Sequence, residues 1–422
     1  MSSGTFLSIH NDYRRSHPKL LFSTPMPNST LFQYSTITIT PFLDIQDTLR
    51  DDEAKIYESS LYIDDINPTR KLDKYLSRNV KERYSKVTLQ DHGILTRRGY
   101  KSNGGNVEQN QDRTIIIHPR IEASSLSNST NKDDFFIGIF DGHGTNGHLV
   151  AEFVSKHLFD TIKTMYFNLS AKQGFIGMQD VMEKSFADMQ TQLISLKSET
   201  KQTTSSAFLS GHTLPDPSVA QKSGCTASIF MRFGDSIVSA NVGDSSSVIA
   251  VYSKTEQRSH IVFSNRKDKP HLPFEKERIE AHGGLVIPPR MFNGGELSSR
   301  ASSMDQNIGL AMSRVFGDMD AQSIGVIAEP IVQVLSIESI RSKFNDEDII
   351  FALVMSDGLV EDLKEQDIAD ELGKALSDQD RVEAKGMMEV LQDLIMKSSK
   401  SWLKIDMGYR DDISIAFQVI QS

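Results

Sequence analysis

The chain has 422 residues, of which 38% are hydrophobic, so it can form one large domain with extensions or about two to three average domains. Its formal net charge of -10 at pH 7 argues against a general nucleic-acid-binding protein, because no basic surplus is available to neutralise phosphates. Cys225 is the only cysteine, so the chain cannot form an internal disulfide, which is typical of proteins from a reducing compartment.

The first part of the chain carries no chemical motif. Residues 1–88 mix Ser, Thr, Asp and Pro, with a β-like stretch at 34–42 and a charged segment at 51–84, and we expect an N-terminal extension that is partly ordered or disordered. No apolar signal core begins the chain and no run of about 18 apolar residues occurs, so we expect no transmembrane segment. The expected location is intracellular, cytoplasmic or nuclear, with organelle targeting through Arg14, Arg15 and the nearby serines left open.

From about residue 89 onward, short apolar and β-branched segments alternate with turn residues, which predicts many strands. The expected strands are 114–118, 135–140, 227–233, 236–241, 248–252, 260–263 and 413–419. The pair at 227–233 and 236–241 is separated by Gly234-Asp235, a dipeptide typical of hairpin turns.

Three helices are also predicted. Apolar residues recur at helical spacing around 181–193 and around 387–395, and Pro273 and Gly283 bracket a short helix at 274–282. Strands in neighbouring hairpins, interrupted by helices, favour an α+β layered fold over a doubly wound parallel sheet.

Acidic residues recur at the ends of the predicted strands. Three apolar runs are each followed by an aspartate that is next to a glycine, namely Asp141, Asp244 and Asp357. In a fourth segment, Asp411 and Asp412 precede the apolar run. Carboxylates on turns are typical ligands of hard divalent cations, and Mg²⁺ or Mn²⁺ prefers oxygen ligands and retains several waters. The sequence therefore predicts a metal-centred site assembled from distant parts of the chain.

The segment 141–144, DGHG, ends the strand predicted at 135–140. Its two glycines allow a sharp turn and a close approach to a ligand. Asp141 could bridge two cations, Gly142 could offer its carbonyl oxygen, and His143 lies near enough to act on a metal-bound substrate. The alternative is a strand-to-turn junction with an incidental histidine, which the repeated carboxylates elsewhere in the chain make less favourable.

Eight short segments occur in a fixed order from about residue 88 to residue 422. They are NQD at 110–112, FDGHG at 140–144, SGCTA at 223–227, ANVGDS at 240–245, KP and ERIEAHGG within 269–284, GLAMSRVFGD at 309–318, SDGL at 356–359 and RDDIS at 410–414. Each segment is weak evidence alone. The ordered set resembles the metal-dependent protein serine/threonine phosphatases of type 2C, over about four fifths of the chain.

The resemblance implies an α+β fold, a β-sandwich of two mostly antiparallel sheets flanked by helices in four α-β-β-α layers. The catalytic domain would occupy residues 89–422, after the N-terminal extension at 1–88. The implied partners are phosphorylated protein substrates, with no nucleic acid, and the protein is expected to be a monomer.

The resemblance also implies a binuclear site with two Mg²⁺ or Mn²⁺ ions per chain. By motif position, Asp141 would bridge both ions and the carbonyl oxygen of Gly142 would bind one of them. Asp357 and Asp411 would hold the other ion. Two metals at one site can polarise a shared water and neutralise the charge of phosphate oxygens.

The implied activity is that of a metal-dependent protein serine/threonine phosphatase, a phosphoric monoester hydrolase. A water bound by the two metals would attack phosphorus in line, without a phospho-enzyme. Gln111 and Asp112 would order metal-bound waters around the site. His143 would then protonate the departing Ser or Thr oxygen as general acid.

Two departures from the family pattern concern charge near the metals. Gln111 stands where many members carry a glutamate. Lys267 occupies a place where members often carry an aspartate for a third, weaker metal, with Asp268 and Glu361 nearby in motif terms. A cation at Lys267 would oppose a third metal, so we expect two metals. The alternative is that Lys267 points to solvent and has no effect.

A third departure concerns the phosphate group of the substrate. The family's phosphate-binding arginine usually lies a few residues before the NQD-like segment, where this chain has Val107. Arg98, Lys101 or Arg113 could replace it, and the sequence does not choose among them.

Other motif residues are expected to have structural roles. Asp244 would cap a turn between core strands, and Arg314 and Asp318 would form a charge pair. The segment 290–303 matches the position of the family's mobile flap, which would either select substrates or be a passive loop.

Two classes of function remain open. An active protein phosphatase is favoured, because the three aspartates and the histidine of the site are retained. The alternative is a catalytically weak family member that acts as a regulatory or binding module, which Gln111, Lys267 and the missing arginine would suggest.

Overall fold

The computed structural model of the chain describes residues 32–38, 60–63, 91–101, 110–121, 134–173, 177–195, 217–292, 295–378, 386–405 and 409–420. In chain order the strands are β1 (Phe32–Thr38), β2 (Ser60–Ile63), β3 (His92–Arg97), β4 (Tyr100–Lys101), β5 (Arg113–Ile121), β6 (Phe136–Phe140), β7 (Gly142–His143), β8 (Gly224–Cys225), β9 (Ala227–Phe233), β10 (Ser236–Val242), β11 (Ser246–Ser253), β12 (Arg258–Ser264), β13 (Leu285–Ile287), β14 (Arg290–Phe292), β15 (Gly295–Leu297), β16 (Arg300–Ser302), β17 (Gly309–Leu310), β18 (Phe316–Gly317), β19 (Ile331–Ser336), β20 (Ile349–Met355), β21 (Tyr409–Arg410) and β22 (Ile413–Val419). The helices are α1 (Gly147–Gln173), α2 (Met178–Ser195), α3 (Pro273–Ala281), α4 (Met319–Gln322), α5 (Ile337–Arg341), α6 (Asp357–Val360), α7 (Glu365–Asp378) and α8 (Met387–Ile405).

Two six-stranded sheets form the centre of the fold. The first has the strand order β1-β5-β6-β9-β10-β19, and the second has the order β12-β11-β20-β22-β3-β2. Neighbouring strands in both sheets pair antiparallel, except that β2 and β3 run parallel. The predicted α+β fold with two mostly antiparallel sheets is therefore confirmed.

The central strands of both sheets, such as β6, β10, β11 and β20, are buried on their two faces, which explains why they are continuous apolar runs. In β20, Ala352 faces the core between the sheets, whereas Phe351 belongs to the core under α7 and α8. In β6, Ile137 faces the core between the sheets, whereas Phe136 packs with α1 and α2. This alternation produces the four α-β-β-α layers.

Most of the elements predicted from the sequence are present. The hairpin is formed by β9 and β10, and Gly234 at its turn has a positive φ of 61°. The three predicted helices correspond to α2, α3 and the first half of α8.

Two strands lie within the N-terminal extension predicted at 1–88. β1 pairs with β5 and β2 pairs with β3, so each forms an edge of one main sheet. The rest of this segment lies outside the described residues, and the division at residue 88 stays a prediction. Among the helices that the structure describes, none is long and apolar enough to cross a membrane.

A smaller unit lies between β12 and β19 in the chain. It contains α3, the sheet β13-β16-β17 and the hairpin β14-β15, and it has its own core around Ile279, Ala301 and Val315. The predicted flap, 290–303, lies here except for residues 293 and 294, which are outside the described part of the chain. Met291 is 70% exposed, but the choice between a substrate-selecting and a passive flap stays open.

Candidate metal centre and active site

The loops that carry the predicted metal ligands meet at one end of the sandwich. Asp141 directly follows β6, and Asp112 directly precedes β5, whose first residue pairs with the last residue of β6. Asp357 follows β20, and Asp411 precedes β22, which starts beside the end of β20. Four segments that are far apart in sequence therefore present carboxylates at the same edge.

The carboxyl groups of this cluster are close enough to perturb one another. The side chain of Asp141 is close enough to Asp357 to affect its pKa. Burial, followed by the charges of Asp112, Asp357 and Asp411, raises the pKa of Asp141 well above its ordinary value. Burial, followed by the charges of Asp244 and Asp411, raises the pKa of Asp357 to about 7. The site is therefore short of positive charge.

Asp112 has one oxygen that the described protein atoms do not satisfy. The side chain is buried, and its Oδ2 accepts a hydrogen bond of 2.6 Å from Oγ of Ser414. Its Oδ1 has no hydrogen-bond partner among the described residues. A buried carboxylate oxygen without a donor is energetically costly, and a cation or a water held by a cation would satisfy it.

The donor set fits a hard divalent cation. It consists of carboxylate oxygens with backbone carbonyls nearby, which Mg²⁺ and Mn²⁺ prefer over nitrogen or sulfur. Within the described ranges, no three His, Cys, Asp or Glu side chains are spaced to hold an ion by themselves. The carboxylates would therefore share each ion with carbonyl oxygens and several waters, as is common for Mg²⁺.

The backbone at Gly142 is packed so closely that only glycine fits. A Cβ at this position would lie 2.6 Å from the carbonyl oxygen of Gly147 and 2.7 Å from that of Gln111. The side chain of Gln111 donates a hydrogen bond of 2.7 Å to the carbonyl oxygen of Gly144 and so braces this loop. The role of Gln111 in ordering water stays a prediction.

The two adjacent aspartates before β22 have different partners. Asp412 accepts hydrogen bonds from the backbone N–H groups of Gly99 and Gln111, so it ties three loops together. Asp411 accepts a hydrogen bond of 2.8 Å from the hydroxyl of Tyr409. Burial, and then the charge of Asp411, raises the pKa of Tyr409, so its hydroxyl stays a donor. Sequence reasoning missed Tyr409, because a single tyrosine before the motif carries no pattern.

His143 pairs with Asp318 rather than facing solvent alone. Nε2 of His143 is hydrogen-bonded to Oδ2 of Asp318, whose side chain is 5% exposed. Burial lowers the pKa of His143, but the charge and hydrogen bond of Asp318, and then the charges of Asp244 and Asp357, outweigh it. The pKa of His143 is therefore raised, which favours the protonated ring.

The predicted charge pair between Arg314 and Asp318 is wrong. Arg314 instead lies 2.9 Å from Glu275, the first-turn acid of α3, and 4.0 Å from Asp268. Glu275 is fully buried and needs cations around it, and Arg278 provides a second one at 2.7 Å. Arg314 therefore holds α3 in place through Glu275, whereas Asp318 pairs with His143.

The region in which a third metal would bind contains two cationic side chains, Lys267 and Lys269. Asp268 is not available as a ligand, because one oxygen accepts from Asn241 and the other pairs with Arg266. The charges of Lys269 and Lys267 both act on Glu361. The position of Lys267 near this acid is consistent with its predicted opposition to a third ion, which stays a prediction.

The candidates for a phosphate-binding cation differ in their surroundings. Arg113 is buried, and its Nη1 donates to the carbonyl oxygens of Asn110 and Asp112, while Nη2 lies 3.4 Å from Glu152. Arg113 therefore stabilises the backbone of the loop at 110–112. The charge of Arg98 acts on Asp412 and so lies near the acidic centre. Val107 falls outside the described residues.

An acidic, oxygen-rich centre at one end of an α+β sandwich is the architecture that the type 2C resemblance implies. A family model described as protein phosphatase 2C matches residues 98–399. The chain therefore belongs to the protein phosphatase 2C family.

Relatives with this family name are found in plants. The chain is 31% identical over 265 residues to "Probable protein phosphatase 2C 1" of Arabidopsis thaliana, covering 58% of this chain and 53% of that protein. It is 31% identical over 261 residues to "Probable protein phosphatase 2C 7" of Oryza sativa subsp. japonica, covering 62% of this chain and 53% of that protein. The chain thus spans about half the length of these two relatives.

A solved structure supports the fold. The serine-threonine phosphatase 2C of Toxoplasma gondii superposes with a TM-score of 0.54 at 15% sequence identity, over 78% of this chain and 95% of that chain. At this identity the similarity shows the fold alone.

Proposed function

We propose that this chain is a Mg²⁺- or Mn²⁺-dependent protein serine/threonine phosphatase that hydrolyses phosphoserine and phosphothreonine in phosphorylated proteins. The observation that carries this proposal is the crowding of Asp141, Asp357 and Asp411 at one end of the sandwich, with His143 beside them. Membership of the protein phosphatase 2C family supports it independently.

Two ions would be held by the carboxylates of Asp141, Asp357 and Asp411 and by the carbonyl oxygen of Gly142. When bound, the ions supply an activated water for attack on phosphorus and neutralise charge on the phosphate oxygens. Asp112, with its unsatisfied oxygen, would orient water at the same centre.

His143 would donate a proton to the departing serine or threonine oxygen. An alkoxide is a poor leaving group, so protonation by a positioned acid accelerates its departure. Nε2 of His143 is occupied by Asp318, and no hydrogen bond to its Nδ1 is found among the described residues. The side chain of His143 is 22% exposed, and we assign the donation to Nδ1.

The alternative is a catalytically weak family member that acts as a regulatory or binding module. Gln111 in place of glutamate and Lys267 in place of aspartate favour it, because both change the charge around the centre. Hydrolysis of a chromogenic aryl phosphate with Mn²⁺, with and without chelator, separates the two. Metal-dependent turnover supports the enzyme, whereas its absence in a folded, Mn²⁺-binding protein supports the module.

A further inference from the structure

A three-stranded ribbon brings two residues that are far apart in sequence into contact. In this ribbon β8 pairs with β7 on one side and with β18 on the other. Gly224 of β8 pairs with His143 of β7 and with Gly317 of β18. Asp318 directly follows β18, so the ribbon sets its carboxylate against Nε2 of His143.

The backbone at Asp318 is held in an unfavourable conformation. Its φ is 43° and its ψ is 52°, in the left-handed region. Residues other than glycine adopt this conformation rarely, and such outliers concentrate at functional sites. The N–H of Asp318 donates 3.0 Å to the carbonyl oxygen of Ser223, and its carbonyl oxygen accepts from Ala321 at 2.8 Å. The strain is therefore fixed by neighbouring segments.

Gly224 leaves the room that the pair needs. A Cβ at this position would lie 2.3 Å from Oδ2 of Asp318 and 3.0 Å from Nε2 of His143. Only a glycine on the middle strand allows the carboxylate and the ring to meet. Strand pairing, backbone strain and glycine placement thus all serve the same contact.

We propose that Asp318 is a positioning residue for His143, which rests on the proposed role of His143 as general acid. A carboxylate can only accept, so Asp318 holds a proton on Nε2, fixes the orientation of the ring and leaves Nδ1 to face the leaving oxygen. In this arrangement Asp318 would act on the reaction through His143, the ring that it contacts.

The first test reads the ring directly. In Mg²⁺-loaded protein at a pH high enough for the His143 ring to be neutral, ¹⁵N NMR of the ring is expected to show the proton on Nε2. In Asp318→Asn the amide can donate to Nε2, so the tautomer is expected to reverse to Nδ1–H. Asp320→Asn, the same change two residues away, should leave the ring signals unchanged. An unchanged tautomer in Asp318→Asn would overturn the proposal.

The second test separates positioning from the proposed chemistry. Asp318→Asn is expected to slow hydrolysis of a phosphoserine peptide by ~10²-fold, with little change in KM, and to have no further effect in a His143→Gln background. If Asp318→Asn reverses the tautomer while His143→Gln is fully active, the general-acid role fails and the positioning stands. Additive losses in the double variant would show that Asp318 acts independently and would overturn the positioning.

Discussion

The ammonium group of Lys269 lies 2.6 Å from Oδ2 of Asp244, at the edge of the acidic centre. Burial lowers the pKa of Lys269, but Asp244, and then Asp357 and Glu361, outweigh it, so the pKa is raised and the side chain stays charged. The fold thus places a positive charge of its own beside the carboxylates that we propose as metal ligands.

This arrangement bears on the number of metals. The positive charge of Lys267 also acts on Glu361. At a separation of 4 Å and an effective dielectric constant near 20, two unit positive charges repel each other by ~4 kcal/mol. We expect calorimetric titration with Mn²⁺ to show two ions in the wild type and an additional weak binding event in Lys267→Asp. Lys343→Asp, at an exposed position before β20 begins, is the control. A third ion bound equally well by wild type and Lys267→Asp would refute the prediction.

Removal of one ligand charge should weaken metal binding. We expect Asp357→Asn to abolish most turnover and to lower the affinity for Mn²⁺ by at least ~10- to 100-fold. This is the loss that is typical when a residue that hydrogen-bonds to a metal ligand is removed. Electron paramagnetic resonance of free Mn²⁺ measures the affinity. Asp346→Asn is a matched control, because Asp346 lies before β20 and Asp357 lies after it, so the same change is made at the opposite end of the strand. Unchanged Mn²⁺ binding in Asp357→Asn would exclude this residue as a ligand.

The effect of His143→Gln should depend on the leaving group. A phosphoserine peptide needs a proton on its departing oxygen, so its turnover is expected to fall by ~10²–10⁴. The phenolate of an aryl phosphate departs without a proton, so the turnover of this substrate should fall much less. Steady-state kinetics on both substrates with saturating Mn²⁺ measures the difference. Equal losses on the two substrates would mean that His143 only shapes the loop.

The ion network around Glu275 should make stability depend on pH. Burial raises the pKa of Glu275, but Arg314 and Arg278 outweigh it and lower the pKa from 4.5 to about 2. A depressed pKa stabilises the folded state above pH 4.5, and this stabilisation is lost as pH falls from 4.5 towards 2. We expect Glu275→Gln to lower the free energy of unfolding by about 3 kcal/mol at pH 7.

Denaturant unfolding of both proteins between pH 7 and pH 3 checks this prediction. The difference between wild type and Glu275→Gln should shrink at low pH, because the protonated acid resembles the amide. Glu277→Gln, on the exposed side of α3, should have little effect at any pH. A difference that stays constant with pH would indicate a packing effect rather than a charge effect.

The central strands of the sheets could be predicted from the sequence because they are buried on both faces and appear as apolar runs. The gathering of Asp141 and Asp357 followed from their positions at strand ends. The contact of His143 with Asp318 could not be predicted, because 175 residues separate them and Arg314 offered a nearer opposite charge. It depends on the pairing of three two-residue strands, which are too short to leave a periodic pattern.

The pairing of β1 and β2 with the main sheets was also missed. β1 is a polar edge strand whose composition resembles that of its surroundings, and β2 has only four residues. Neither pattern specifies a partner, since edge strands need only one hydrogen-bonded neighbour.

The most direct test of the metal-dependent phosphatase assignment is phosphate release from a phosphothreonine peptide by the full chain in Mn²⁺. We expect release by the wild type, loss of activity with chelator, recovery when Mn²⁺ is restored, and none from Asp141→Asn. Full activity of the chelated protein or of Asp141→Asn would contradict the account.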